Sequence, residues 1–152
     1  MEIRKMDEND LKAVAGLEKE CFSAPWSEQS LSMELHNPCA IFWVAEEWGK
    51  ILGYIGMHAV LDEGYLANVA VGSPYRRKGV ATALLDRILQ YSADKKLGFL
   101  TLEVRESNYP AISFYEKNGF GIVGRRKHYY SAPEEDALLM THFFGGIQEA
   151  VS

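Results

Sequence analysis

The sequence predicts an α+β domain with a central mixed, mostly antiparallel sheet flanked by helices. Three observations predict it. The chain has 152 residues, 47% hydrophobic and 24% charged, which supplies one ordinary core and leaves little length for a second. Strand-like and helix-like segments follow in the order β-α-α-β-β-β-α-β-α-β-β, with no repeat, low-complexity tract or linker. Only the segment after the central run of strands reads as a strand-helix-strand crossover, so parallel pairing is the exception. A chain of this size buries roughly 68–70% of the surface it exposes when unfolded, which removes any need for disulfides or a structural metal.

Each element has a local cause. Ile3 and its neighbours form a short first strand, after which Asp7 caps a helix whose Leu11, Val14, Leu17 and Cys21 recur at helical spacing. Phe22-Ser23-Ala24-Pro25-Trp26 breaks that helix, and Ser27 caps a short second one carrying Leu31 and Leu35, which Asn37-Pro38 ends. Ala40 to Glu46 and Ile51 to Val60 are rich in β-formers and flank Glu47-Trp48-Gly49-Lys50, a hairpin signal with Gly49 for positive φ. Asp62-Glu63-Gly64 reads as the next turn, leading into Tyr65 to Val71 and completing a three-stranded meander. Gly79 to Asp94 carries Val80, Leu84, Leu85, Ile88 and Tyr91 as one apolar stripe, the longest helix. Phe99 to Arg105 follows as a strand, Pro110 to Lys117 as a helix opened by proline, and Asn118-Gly119 as its left-handed cap. Strands over Gly121 to Arg125 and Ala137 to Phe144 close a single domain at residues 1–144, with a C-terminal tail at 145–152.

The formal net charge of −5 argues against a protein that works by neutralising nucleic-acid phosphates, and it allows a cationic partner. No stretch approaches the roughly 18 apolar residues of a membrane helix, and Met1-Glu2-Ile3-Arg4-Lys5 lacks the apolar core of a signal peptide, so the expected location is cytoplasmic. Cys21 and Cys39 show no paired metal spacing and sit in apolar surroundings, which predicts buried, reduced thiols. His36, His58, His128 and His142 are scattered without triad or ligand spacing and read as structural or surface residues. No metal site is expected.

Two segments carry chemistry. Arg76-Arg77-Lys78-Gly79-Val80-Ala81 lies between a strand and a helix, where unpaired backbone N–H groups and the positive end of the helix dipole converge. Gly79 and Ala81 are small enough for a phosphate to reach the backbone, and the three cations supply charge around it. A plain basic turn before a helix is the alternative. The run is neither GxxxxGK[ST] nor GxGxxG, which points to a pyrophosphate bound without metal. Asn68-Val69-Ala70-Val71 precedes that turn, and a strand edge there could hydrogen-bond an amide-bearing arm such as pantetheine; otherwise it is a core strand.

R-x-x-G-x-A after a V-A-V strand, then Glu103, Asn108 and the run Ala111-Ile112-Ser113-Phe114-Tyr115-Glu116-Lys117-Asn118-Gly119-Phe120, resembles the GNAT acyltransferase family over nearly the whole chain. Tyr129-Tyr130, Glu135 to Met140 and Phe22 to Trp26 are similar to a branch of that family that acetylates protein N-termini. The resemblance implies the GNAT fold and acetyl-CoA as cosubstrate. It also implies an acceptor segment carrying a free N-terminal α-amine, alanine on a ribosomal protein such as S18, with no nucleic acid or membrane as partner. It assigns the cofactor to Val69, Ala70, Val71, Arg76, Arg77, Lys78, Gly79, Val80, Ala81, Thr82 and Asn108. It makes Glu103 the base and Tyr115 the acid.

The chemistry is consistent with those roles. An α-amine with a pKa of about 8, against about 10.4 for lysine, is partly neutral near neutral pH and needs only modest base catalysis. Glu103 shares a strand face with Phe99 and Thr101 and could take the amine proton directly or through water; otherwise it is a solvated strand residue. Tyr115 could protonate the departing thiolate, or pack beside Ile112 and Phe114. Asn108 could bind the cofactor arm or make a local turn. A small amine or a lysine side chain as acceptor, and an acyl-CoA-binding module without turnover, remain open alternatives.

Overall fold

The computed structural model describes residues 1–145. It contains seven strands, β1 (Glu2–Lys5), β2 (Ala40–Glu47), β3 (Lys50–Val60), β4 (Glu63–Val71), β5 (Phe99–Arg105), β6 (Gly121–Tyr130) and β7 (Glu135–Phe143). The helices are α1 (Leu11–Cys21), α2 (Glu28–Leu35), α3 (Val80–Asp94) and α4 (Tyr109–Lys117). The strands form one sheet in the order β1-β2-β3-β4-β5-β7-β6, the α+β architecture expected from the segment order. β4 and β5, joined through α3, pair in parallel; β1–β2, β2–β3, β5–β7 and β6–β7 are antiparallel. The chain divides into two compact units, residues 1–60 with 67–91, and residues 61–66 with the chain from Ser92 onward.

In the first unit Asp7 begins a short 3-10 turn before α1, and Ser27 caps α2 by accepting the Ser30 N–H at 3.1 Å. Leu11, Val14 and Leu17 of α1 and Leu31 of α2 bury against Phe42, Val44 and Tyr54 of β2 and β3, as their spacing predicts. The β2–β3 connection is a two-residue turn in which Trp48 as well as Gly49 takes positive φ (54° and 75°). Such primed turns match the twist of the flanking strands. Trp48 adopts that geometry without glycine and projects into solvent.

In the second unit the parallel ladder matches Glu63–Tyr65 with Phe99–Thr101, and β5 pairs along its length with β7. Here the expected boundaries shift. Leu61 takes the positive φ (56°) of the turn, and β4 already starts at Glu63, with Gly64 inside the strand. A Cβ there would meet Leu97, Phe99 and Leu100 at 3.0–3.2 Å, so Gly64 answers to close packing and not to a turn. β6 runs to Tyr130 and β7 starts at Glu135, both longer than expected. Burial along β5 alternates, with Leu100, Leu102 and Val104 inside and Thr101, Glu103 and Arg105 toward the other face.

Both cysteines depart from the expected burial. Cys39 is exposed because it sits in the turn before β2, its N–H held by Asn37 Oδ1 at 2.9 Å. Cys21 is half-buried at the last turn of α1, its Sγ 3.6 Å from the Val71 carbonyl oxygen. Residues 146–152 of the expected tail lie outside the described residues.

Candidate active site

In the first unit, the chain leaves β4 through Gly72 and a 3-10 turn at Ser73–Tyr75, then reaches α3 through Arg76 to Gly79. Arg77 and Gly79 both take positive φ (62° and 82°). Gly79 suits its conformation without strain, and a Cβ there would point into open space, so the backbone stays accessible. The Ala83 N–H reaches the Gly79 carbonyl at 3.0 Å, leaving the N–H groups of Val80, Ala81 and Thr82 at the open first turn. Val80 is buried and anchors this end, while Arg77, Lys78 and Thr82 are exposed.

Arg76 is already engaged. Its Nε donates to the Val71 carbonyl at 3.0 Å and its Nη2 lies 3.5 Å from Cys21 Sγ. Ser73 N–H donates to Glu20 Oε1 at 2.7 Å, a bond that lowers the Glu20 carboxyl pKa. The turn is thus fixed from α1. Ala70 is buried and Val69 and Val71 are half-buried, and the parallel ladder with β5 runs over Glu63–Tyr65 without reaching them.

In the second unit, Glu103 faces away from the Leu100–Leu102–Val104 side of β5, opposite Leu139 of β7. Its Oε2 is buried without a hydrogen-bond partner, and Arg126 Nε lies 3.5 Å away at ion-pair distance. The Tyr129 phenol is held above its ordinary pKa by its hydrogen bond to Glu103 first and by burial second. Strict alternation would send Arg126 and Tyr129 to opposite faces. A register shift between Arg126 and Tyr130, with His128 at positive φ (56°), brings both to Glu103.

Tyr115 lies on the other side of β5. Its ring packs 5.5 Å from Phe120, which sits 5.5 Å from His142, and His142 is the register partner of Leu100. Burial pushes the Tyr115 phenol well above the usual tyrosine range, and the nearby Tyr130 phenol adds to the shift. Tyr130, whose ring stacks 4.4 Å from the Arg105 guanidinium, is raised by burial and next by the Glu103 charge. Glu103 and Tyr115 do not touch; Tyr130 stands within electrostatic reach of both. Asn108 caps α4, its Oδ1 accepting the Ala111 N–H at 3.3 Å, which is the local role open to it from sequence.

Sequence reasoning missed Arg126, and it noticed Tyr129-Tyr130 without giving the pair a role. The bulge that aims them left no hydrophobic alternation to read. The histidines fall where expected: His36, His58 and His128 lie against Glu8, Glu34 and Glu134 respectively, and His142 packs between Phe120 and Phe144. Among the described residues, no group of three or more His, Cys, Asp or Glu side chains is placed to hold a metal ion.

The chain belongs to the acetyltransferase (GNAT) family, whose model matches residues 11–120. It is an acetyl-CoA-dependent N-acetyltransferase. It is 33% identical over 140 residues to the ribosomal protein bS18-alanine N-acetyltransferase of Escherichia coli, covering 91% of this chain and 94% of that protein. A Bacillus subtilis protein provisionally named for the same activity is 36% identical over 139 residues, 91% of this chain and 92% of its own. The crystal structure of the ribosomal-protein-S18-alanine N-acetyltransferase from Escherichia coli superposes with a TM-score of 0.86 at 31% identity, covering 93% of this chain and 92% of that one.

Proposed function

We propose that this chain acetylates the N-terminal α-amine, on alanine, of a ribosomal protein of the S18 type, in the cytoplasm. The observation that carries the reading is the match, over 91% of this chain, to two relatives named for that activity. No helix among the described residues is long and apolar enough to cross a membrane.

The residues fit the chemistry. Acetyl-CoA supplies the acyl group and a thiolate leaving group. Arg77, Lys78 and the N–H groups from Gly79 to Thr82 hold its pyrophosphate, with Arg76 shaping the turn from the Val71 carbonyl. Val69, Ala70 and Val71 receive the amide-bearing arm, and Asn108 contacts it through the amide nitrogen that its capping role leaves over. Glu103 accepts the amine proton on the buried oxygen that has no hydrogen-bond partner. Tyr115, kept protonated by burial, gives its proton to the leaving sulfur.

Intact mass of an S18 N-terminal peptide beginning with alanine, after incubation with acetyl-CoA, tests the reading. The expected product gains one acetyl group and the same peptide blocked at its N-terminus gains none. Equal modification of the blocked peptide on a lysine would replace the α-amine with a side-chain acceptor.

A further inference from the structure

Glu18 lies in α1 and is 1% exposed, among the apolar residues of the first unit's core. Nothing in the proposed reaction uses it. Its Oε1 accepts the Trp26 N–H at 2.8 Å; its Oε2 accepts the Tyr54 hydroxyl at 2.6 Å and Asn68 Nδ2 at 3.1 Å. All three donors are neutral, and each comes from a different segment: the loop after α1, β3 and β4. Burial, and next the bond to Glu18, push the Tyr54 phenol far above its ordinary pKa, so it remains a donor. A carboxylate held by neutral donors in an apolar cluster is expensive, and apolar residues of the same volume often stabilise such a site as well or better. The arrangement therefore asks for a role besides stability.

Asn68 supplies it. It is the residue immediately before Val69, so its side-chain bond to Glu18 fixes where the Val69–Val71 segment begins. The other end of that segment is tied to the same helix through Glu20 and Ser73, and through Cys21 beside Val71 and Arg76. We propose that Glu18 is a positioning residue for acetyl transfer. It sets β4 from Asn68 onward, together with the loop at Trp26, so that the strand accepts the acyl-bearing arm of the cofactor. The inference rests on the reading of Val69–Val71 as the strand that binds that arm.

Calorimetry on the full chain with two ligands tests it: acetyl-CoA, and the 3′-phosphorylated ADP fragment that carries the pyrophosphate but no arm. In Glu18→Gln the amide must face a donor where a carboxylate oxygen stood. Acetyl-CoA affinity should fall about tenfold or more, the scale of a lost hydrogen bond to a buried charged acceptor, while the fragment's affinity stays within about twofold. Asn68→Asp combined with Glu18→Gln reverses the donor and acceptor across one bond and should restore most of the acetyl-CoA affinity. Asn68→Leu, which breaks only the link to β4, should show the same split between ligands should Glu18→Gln fold poorly. Equal weakening of both ligands, no weakening, or no recovery in the double variant overturns the inference alone. If the parent protein binds acetyl-CoA no more tightly than the fragment, the reading of β4 fails and takes the inference with it.

Discussion

A tyrosine that is to protonate a departing thiolate has to keep its proton until the bond breaks. Burial of Tyr115 between Phe114 and Phe120 does this, since it holds the phenol neutral through the whole physiological range. Tyr115→Phe keeps the ring contacts and removes the proton, so kcat should fall by about 10²–10⁴, the usual worth of a general acid, with acetyl-CoA affinity nearly unchanged. Steady-state kinetics beside calorimetry check this, and an unaltered kcat with chemistry rate-limiting would leave Tyr115 as packing. In the proposed reaction Glu103 works at the other proton. Below the α-amine pKa of about 8 the acceptor arrives charged and needs a base; above it, the amine is already neutral. The defect of Glu103→Gln should therefore be largest near pH 6 to 7, on the order of tenfold or more, and shrink toward pH 9. A loss constant with pH would instead mean that Glu103 orients the amine. Both residues were proposed from the motif around them. Their company was not, because Arg126 and Tyr129 reach Glu103 only through an irregularity in β6.

Helix α2 was legible because its cap at Ser27 and its apolar spacing agree, whereas α1 was legible from its apolar spacing alone: Asp7 caps the 3-10 turn Glu8–Asp10, and Asp10 at the start of α1 makes no side-chain capping bond. β6 was cut short because Arg125-Arg126-Lys127 carries no alternation and is solvent-exposed, while its pairing with the next strand, β7, runs through a register shift between Arg126 and Tyr130 that no local pattern marks. The start of α1 also holds a charge clamp that no local pattern announces. Arg4 of β1 donates two hydrogen bonds to Asp10, both at 2.8 Å, and its Nε reaches Glu46 of β2, also at 2.8 Å. Asp10 is 4% exposed and its carboxyl is held below the ordinary aspartate range by Arg4. A depressed carboxyl pKa stabilises the fold above the unfolded value of about 3.9 and stops doing so as pH falls through the folded value. Asp10→Asn should cost about 1–3 kcal/mol at pH 7, with the lower part of the range favoured by the partly solvated Arg4. Urea denaturation of parent and variant at a series of pH values checks it. The gap should narrow steadily below about pH 4, and a gap constant to pH 2 would assign the cost to packing.

At the scale of the whole molecule the question is how an enzyme with a formal charge of −5 would meet the amine of the ribosomal-protein acceptor proposed above. Acids at element ends invite the view that local carboxylate patches draw a basic acceptor in. Several of these acids are already paired with cations: Glu46 with Arg4, Glu47 with the N-terminal amine, Glu135 with Arg105 and Asp136 with Arg125. Beside Glu103 itself stands a cation, Arg126. In the proposed reaction, attraction of a basic segment therefore comes from the net charge acting at a distance more than from contacts beside Glu103. Such a field speeds encounter more than it strengthens the bound state, and it is screened over a Debye length of about 8 Å at physiological salt. An alanine-initiated peptide with downstream arginines should thus show a several-fold higher kcat/KM at low salt than the same peptide with glutamates, with kcat alike for the two. Raising the salt to about 0.5 M should bring the two kcat/KM values together. A preference that survives high salt, or one that lies in kcat, would instead require specific side-chain contacts with the acceptor residues after the alanine.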